Sequence, residues 1–338
     1  MSKYRAAVIG LGYIGLKADI PRKHVPVSHS LAYRLNPHIE LAAAVGVRRE
    51  QGEMLALIAP ETKFYTDLDA MLCEQQLDLI SICTPEHVRL ELLRTVLSRS
   101  EARILFLEKP VATTVPEAEA IAELAERHKR TVVVNFSRRW SEGVRQIRQA
   151  VMSGELGKLT NIHVRYTRGV GNNGSHLFDL IRFTAGPIAE VQAVRQVATN
   201  MDRKDDPTFS FLFALDGGVP GYAEAFDDRH YLMFEMDLYF DKGKIELLRT
   251  GDDIRFYTAS EQTSVQGKHL TLKREETNLL ARVSLIQLAV EHIVDIAQNG
   301  AEPVCTLEDG LCSLYVADAL IRSHQSGGAV QTVKRIEK

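Results

Sequence analysis

Short apolar runs rich in branched side chains recur along the first 135 residues, at 4–10, 39–47, 79–83, 103–107 and 131–134. They are compact and almost wholly apolar, as parallel strands covered on both faces are. Helical stretches fall between them. Residues 86–99 and 116–130 carry apolar positions at helical spacing, and Pro116 stands near a first turn, where a helix accepts proline. Alternation of strand and helix predicts an α/β architecture with a doubly wound parallel sheet over residues 1–135.

Beyond residue 135 the pattern changes. A helical stretch at 141–153 leads into a β-rich region from 159 to about 272, with strands expected at 161–167, 209–215 and 232–240. Turn signals follow two of these, at Asp216-Gly217-Gly218 and Asp241-Lys242-Gly243. Helices are expected at 279–298 and 307–323, ended by Gly327 and Gly328. The expected division is therefore 1–135 and 136–338. The looser alternation of the second part predicts a sheet with one face uncovered. An uncovered apolar face favours self-association, as a homodimer or homotetramer through that sheet.

Length and composition agree with two domains: 338 residues, 45% hydrophobic and 25% charged. A formal charge of −3 gives no reason to expect nucleic acid or a membrane surface as partner, and favours a small molecule. Cys73, Cys83, Cys305 and Cys312 show neither CxxC nor Cys/His ligand spacing, so no metal and no disulfide framework is expected, and a reducing, cytoplasmic setting is. Lys3 and Arg5 before the apolar run 6–16 imitate a secretory leader, but three glycines interrupt the run and Lys17 and Asp19 follow it, which suits a strand and turn. No segment is long and apolar enough to span a bilayer.

The strongest motif lies at the end of the first apolar run. Gly10, Gly12 and Gly15 form G-x-G-x-x-G, with Tyr13 and Ile14 between the last two, directly after a strand. Glycines so placed allow a tight turn and close approach of a pyrophosphate to backbone amides, which predicts a dinucleotide site. A helix is expected to follow at once and to add positive potential there. At the end of the second strand, where an acid normally receives the ribose 2′-hydroxyl of NAD, stand Gly46 and Val47, followed by Arg48 and Arg49. Two guanidiniums there suit a 2′-phosphate, so NADP(H) is the expected cofactor, with NAD(H) also admitted. The alternative is that both arginines are solvated charges at a helix start.

Thr84-Pro85-Glu86-His87 after one strand and Glu108-Lys109-Pro110 after another, together with the fingerprint, resemble the glucose-fructose oxidoreductase, inositol dehydrogenase and rhizopine-catabolism (Gfo/Idh/MocA) family. The similarity continues through residues 135–140, 174–179, 242–246 and 307–310. It implies an N-terminal Rossmann domain, a C-terminal α/β domain containing a large, mostly antiparallel open sheet, and sugars or sugar derivatives as substrates. It also implies that Thr84, Pro85, His87, Glu108 and Lys109 belong to the cofactor site. The family is also known to contain non-catalytic dinucleotide-binding sensors, the alternative to an enzyme.

Hydride exchange between a secondary alcohol and nicotinamide needs a group that takes or gives the hydroxyl proton. Lys109 stands at the carboxyl end of a strand, where ligands bind in open α/β sheets, and suits orienting and polarising the substrate oxygen. His176 is expected in the first turn of a helix and resembles the family's acid/base histidine. Four residues earlier many members carry an aspartate, and this chain has Asn172, which can hold an imidazole but cannot stabilise imidazolium by charge. Asp179, on the same helix face as His176, is a candidate replacement or a structural residue. Arg138, Arg139, Arg165, Arg168 and Arg182 gather around this segment, and Arg139 and Arg168 with Asp179 are candidate substrate contacts, which extends the expected substrates to sugar acids and nucleotide sugars. Residues 16–29, with Pro21, His24, Pro26 and His29, form either a flap over the cofactor or a longer loop.

Overall fold

Six strands form a wholly parallel sheet: β1 (Tyr4–Ile9), β2 (Ile39–Val45), β3 (Lys63–Tyr65), β4 (Leu79–Ile82), β5 (Ile104–Leu107) and β6 (Thr131–Val134). Their order is β3-β2-β1-β4-β5-β6, the doubly wound arrangement in which the switch of direction falls between β1 and β4. β4 and β5 are four-residue apolar strands buried throughout, which is why their sequences show no alternation. The crossovers contain α1 (His29–Leu35), α2 (Arg49–Ala56), α3 (Leu68–Glu74), α4 (Arg89–Arg99) and α5 (Val115–Arg127). Thr114 and Glu117 close a capping box at the start of α5, with Pro116 in its first turn as expected. These coordinates, a computed structural model, describe residues 3–21, 25–260, 270–275 and 283–336; His24 and residues 279–282 of the expected helix lie outside them.

The chain divides into two units, Met1–Trp140 with Val283–Leu311, and Ser141–Arg282 with Cys312–Lys338. A single boundary at 135/136 is expected from the sequence. Helix α8 (Leu285–Asn299) and the start of α9 (Leu307–Gln325) return to the first unit. Local bonds explain the return: Val133 bridges Thr306, the Val134 N–H donates to the Cys305 carbonyl, and Arg139 pairs with Asp309.

In the second unit α6 (Glu142–Ser153) and α7 (Ser175–Ala185) accompany a nine-stranded sheet of order β14-β13-β12-β11-β7-β10-β9-β8-β15. Its strands are β7 (Leu159–Tyr166), β8 (Ile188–Thr199), β9 (Pro207–Leu215), β10 (Pro220–Ala225), β11 (Phe234–Phe240), β12 (Gly243–Leu248), β13 (Asp253–Ser260), β14 (Thr271–Arg274) and β15 (Gln331–Thr332). Every pairing is antiparallel except β7 with β10. Both turn signals join neighbouring antiparallel strands, β9 to β10 and β11 to β12. Ile162, Val164, Tyr166, Phe211, Met236 and Leu238 are buried. On β7, β11 and β12 the alternate positions carry charged pairs rather than the apolar surface expected of an uncovered face. Arg165 pairs with Glu235 at 3.0 Å and Asp237 at 3.2 Å, Lys244 with Glu246 at 2.6 Å, and the Tyr257 hydroxyl donates to Glu246 at 2.8 Å. No helix among the described residues is long and apolar enough to cross a membrane.

Candidate active site

The fingerprint turn is closed on its inner side and open at Gly12. Gly10 has φ +98°, and a Cβ on Gly15 would stand 2.0 Å from the Gly10 carbonyl oxygen, whereas one on Gly12 would meet nothing within 4 Å. The helix expected directly after it is displaced. A short 3₁₀ turn, Lys17–Asp19, comes first, and α1 begins only at His29. The His29 N–H then donates to the Ile14 carbonyl (3.0 Å), and the Ser30 N–H and hydroxyl donate to that of Gly15 (3.2 and 2.6 Å). Thus α1 takes up carbonyls that an uninterrupted helix would satisfy, and the described residues 16–21 and 25–28 lie outside that helix. Buried Asp19 joins these two stretches by accepting from the N–H of Val27 and from the N–H (2.7 Å) and hydroxyl (2.6 Å) of Ser28, which in turn caps α1.

At the end of β2, Gln51 fills the space left by the missing acid. Its amide donates to the Leu11 carbonyl (2.8 Å) and its oxygen accepts from the Arg48 N–H (3.0 Å), so one side chain ties the β2–α2 turn to the fingerprint. A Cβ on Gly46 would lie 2.8 Å from that oxygen. Arg48 and Arg49 are exposed beside it.

Thr84 and Glu108 follow β4 and β5, and one residue that sequence reasoning overlooked holds both turns. The buried Arg89 guanidinium donates twice to the Thr84 carbonyl (3.1 and 2.7 Å) and also to the carbonyls of Glu108 and Pro110, on either side of Lys109. A signal existed: Arg89 is in helical phase with the buried Leu93, Val96 and Leu97. Lys109 itself is half-buried, Tyr13, Pro85 and His87 are exposed, and Ile14 is half-buried.

Glu108, expected in the cofactor site, has partners for its carboxylate within the fold. It turns inward, 7% exposed, accepting from the Asn135 amide (2.6 Å) and meeting His29 Nε2 at 2.9 Å. Burial opposes its ionisation, but the contacts with His29 and Asn135 and the nearby Lys109 charge outweigh burial and hold the carboxyl below its usual 4.5. Thr84 Oγ1, by contrast, is buried without a hydrogen-bond partner, and its backbone lies against Gly10. A hydroxyl left unmatched beside a glycine turn that is open at Gly12 fits a bound dinucleotide.

In the second unit His176 sits half-buried in the first turn of α7, after a π turn at Gly169–Gly174. A carboxylate does reach this segment, though not at position 172. Asp206, in the β8–β9 connection, accepts from the N–H groups of Gly171 (2.7 Å) and Asn172 (3.1 Å) and from the Asn200 amide (3.2 Å). Burial raises its carboxyl above the usual value despite those bonds. The Asn172 carbonyl accepts from the Ser175 hydroxyl at 2.7 Å.

The arginines are largely committed within the fold. Arg139, a candidate substrate contact, is 5% exposed and bonds Asp309 (2.8 Å) and the Val304 carbonyl (2.9 Å). Arg168, with φ +69°, pairs with Asp202, and Arg165 with Glu235 and Asp237. Asp179, the third candidate substrate contact, is 2% exposed in α7.

A six-stranded parallel sheet with a glycine turn after its first strand, followed in the chain by a large, mostly antiparallel sheet, defines a dinucleotide-binding α/β protein. Residues 4–136 match the model of an oxidoreductase family with an NAD-binding Rossmann fold, and residues 144–246 match the GFO/IDH/MocA C-terminal domain. The chain belongs to the Gfo/Idh/MocA oxidoreductase family. It is 26% identical over 177 residues to D-glucoside 3-dehydrogenase of Escherichia coli, covering 52% of this chain and 47% of that one, so the match spans about half the length of that relative. D-apiose dehydrogenase of Paraburkholderia graminis is 22% identical over 98% of this chain and 90% of its own. The fold is shared, at TM-score 0.81 and 16% identity over 99% of this chain and 100% of that one, with levoglucosan dehydrogenase solved with NADH and L-sorbose.

Proposed function

We propose that the protein is a nicotinamide-dependent oxidoreductase exchanging hydride with a secondary alcohol or ketone of a sugar or sugar derivative, with NADP(H) preferred. The observation that carries this reading is the fingerprint turn beside the unmatched Thr84 hydroxyl, in a unit where Lys109 follows β5. The nicotinamide, when bound, supplies or receives the hydride. Lys109 orients and polarises the substrate oxygen, and His176 moves the hydroxyl proton. Asn172 sits where many members carry a carboxylate, so imidazolium at His176 forms without that charge, and Lys109 takes a larger share of proton transfer. Arg48 and Arg49 receive the 2′-phosphate, on the side of Gly46 where no acid repels it. With Arg139 and Arg168 already paired, neutral sugars suit the site better than sugar acids or nucleotide sugars.

Four free cysteines suit a reducing, cytoplasmic setting. Self-association as a homodimer or homotetramer through the open sheet belongs to the same reading, with the paired charges of β7, β11 and β12 as its contact surface. Two titrations and a turnover screen test the proposal. Fluorescence of the reduced cofactor should give about tenfold tighter binding of NADPH than NADH, and equal or tighter NADH binding removes the NADP(H) preference. Nicotinamide absorbance over a panel of sugars and polyols should then show turnover. Tight cofactor binding with no turnover across the panel favours a sensor instead.

A further inference from the structure

Two turns of the first unit share one donor. β4 and β5 pair as far as Ile82 and Leu107, and the Glu108 N–H donates to the Ile82 carbonyl at 3.0 Å. Past that bond the Arg89 guanidinium takes over. Its Nε and Nη2 donate to the Thr84 carbonyl at 3.1 and 2.7 Å, and its Nη1 donates to the carbonyls of Glu108 and Pro110. A guanidinium is a rigid plane whose N–H groups keep fixed directions. It therefore holds the two turns at one separation, and neither moves without a bond to the other being lost. Arg89 has little freedom to follow a moving turn, since it is 2% exposed and stands in α4 in helical phase with the buried Leu93, Val96 and Leu97.

The two turns differ in what else they face. Thr84 Oγ1 is buried without a hydrogen-bond partner among the described residues, and a Cβ on Gly10 would stand 2.8 Å from the Thr84 nitrogen, so Thr84 belongs to the wall of the glycine turn. Lys109 lies between the two carbonyls that Nη1 holds on the other turn. We propose that Arg89 is a positioning residue that couples these turns, so that a dinucleotide taken up at Thr84 also fixes the backbone on either side of Lys109. The proposal rests on the dinucleotide and Lys109 roles given above. Without cofactor, the Thr84 turn lacks the bond its hydroxyl can make, and the shared guanidinium passes that looseness on to Glu108 and Pro110. With cofactor, one event orders both turns, and the substrate oxygen meets a Lys109 already in place. Cofactor and substrate then bind with positive cooperativity, each tightening the other by the same factor.

Hydrogen–deuterium exchange of the whole protein, read by mass spectrometry with and without saturating NADPH, tests this with no substrate. Cofactor fluorescence confirms saturation, and NADH replaces NADPH if it binds more tightly. In the parent protein NADPH should slow exchange about tenfold at the fingerprint, at 84–88 and at 109–113. Arg89→Lys keeps the charge but loses the fork. NADPH should still slow the fingerprint and 84–88 in this variant, while its effect at 109–113 falls to about twofold or less. Thr84→Val removes a hydroxyl that makes no bond within the protein, so the fold should tolerate it, and the NADPH effect at 109–113 should fall likewise. A purely structural Arg89 would instead give faster exchange at 109–113 by the same factor with and without NADPH, and that result overturns the proposal. An undiminished NADPH effect there in folded Arg89→Lys overturns it too. If Arg89→Lys fails to fold, the other two proteins decide: no NADPH effect at 109–113 in the parent, or a full effect in Thr84→Val, overturns the coupling. Failure of both NADPH and NADH to bind overturns the dinucleotide reading itself, whereas binding that does not spread to 109–113 overturns the coupling alone.

Discussion

The turn that carries Lys109 is held by a buried guanidinium, whereas the π turn that leads to His176 is held by a buried carboxylate, and the opposite choice has a common cause. A chain leaving the carboxyl end of a parallel strand presents carbonyls, and Arg89 collects those of Thr84, Glu108 and Pro110. A chain entering a helix presents N–H groups, and Asp206 collects those of Gly171 and Asn172. In each case a charge of the sign opposite to the local backbone dipole fixes a segment that regular hydrogen bonding leaves loose. Lys109 and His176 are thus positioned by residues that need touch neither cofactor nor substrate.

The sharpest way to break this comparison is to remove Arg89. Arg89→Met leaves three carbonyls without their donor and should cost about 3 kcal/mol, read as a fall in thermal unfolding temperature, and Arg89→Lys should recover only part, since an ammonium cannot fork among carbonyls. Stability equal to the parent protein would mean the carbonyls have other partners. Asp206→Ala strands two N–H groups and should cost about 2 kcal/mol by the same measurement, with Asp206→Asn retaining roughly half.

The two carboxylates predict opposite pH dependences. Glu108 is held below its usual 4.5 in the fold, so the unfolded chain binds its proton more tightly; its stabilisation is present above 4.5 and is lost as pH falls through the lower folded value. Asp206 is raised above its usual 3.8, so its contribution is present below 3.8 and lost as pH rises through the higher folded value. Denaturant unfolding across this acidic range should therefore show the low-pH loss flattened in Glu108→Gln and the opposite slope flattened in Asp206→Asn. The same slope in both variants would contradict the assignment.

A third turn, at the end of β2, gives the smallest effect. Gly46→Asp restores an acid for the ribose but places its Cβ 2.8 Å from Gln51 Oε1. Alone it should destabilise by about 1 kcal/mol, and combined with Gln51→Ser it should shift the NADPH-to-NADH affinity ratio about tenfold toward NADH. An unmoved ratio would show that Gly46 does not set the cofactor.

Much of the architecture was legible because it rests on local pattern. The apolar runs at 79–83 and 103–107 read as buried strands, and the capped start of α5 and the hairpin turns at 216–218 and 241–243 carry their own signals. What could not be read was what depends on partners distant in sequence. Residues 16–29 read as an oddity because nothing local shows that Asp19 accepts from Ser28. Glu108 sits within a familiar motif, yet its carboxylate points at His29, 79 residues away. Arg139 gives no local sign of its partner Asp309, 170 residues on. The open face of the large sheet looked apolar in prospect because cross-strand ion pairs follow from register, and register is not written in any one strand.

Lys109 carries the chemistry in this account, so its replacement is the most direct test. Rapid mixing of NADPH-loaded protein with a keto sugar identified by the turnover screen, followed by nicotinamide absorbance, should show hydride transfer at least about 10³-fold slower in Lys109→Met than in the parent protein, with NADPH affinity within about twofold. Transfer at the parental rate in Lys109→Met would contradict it.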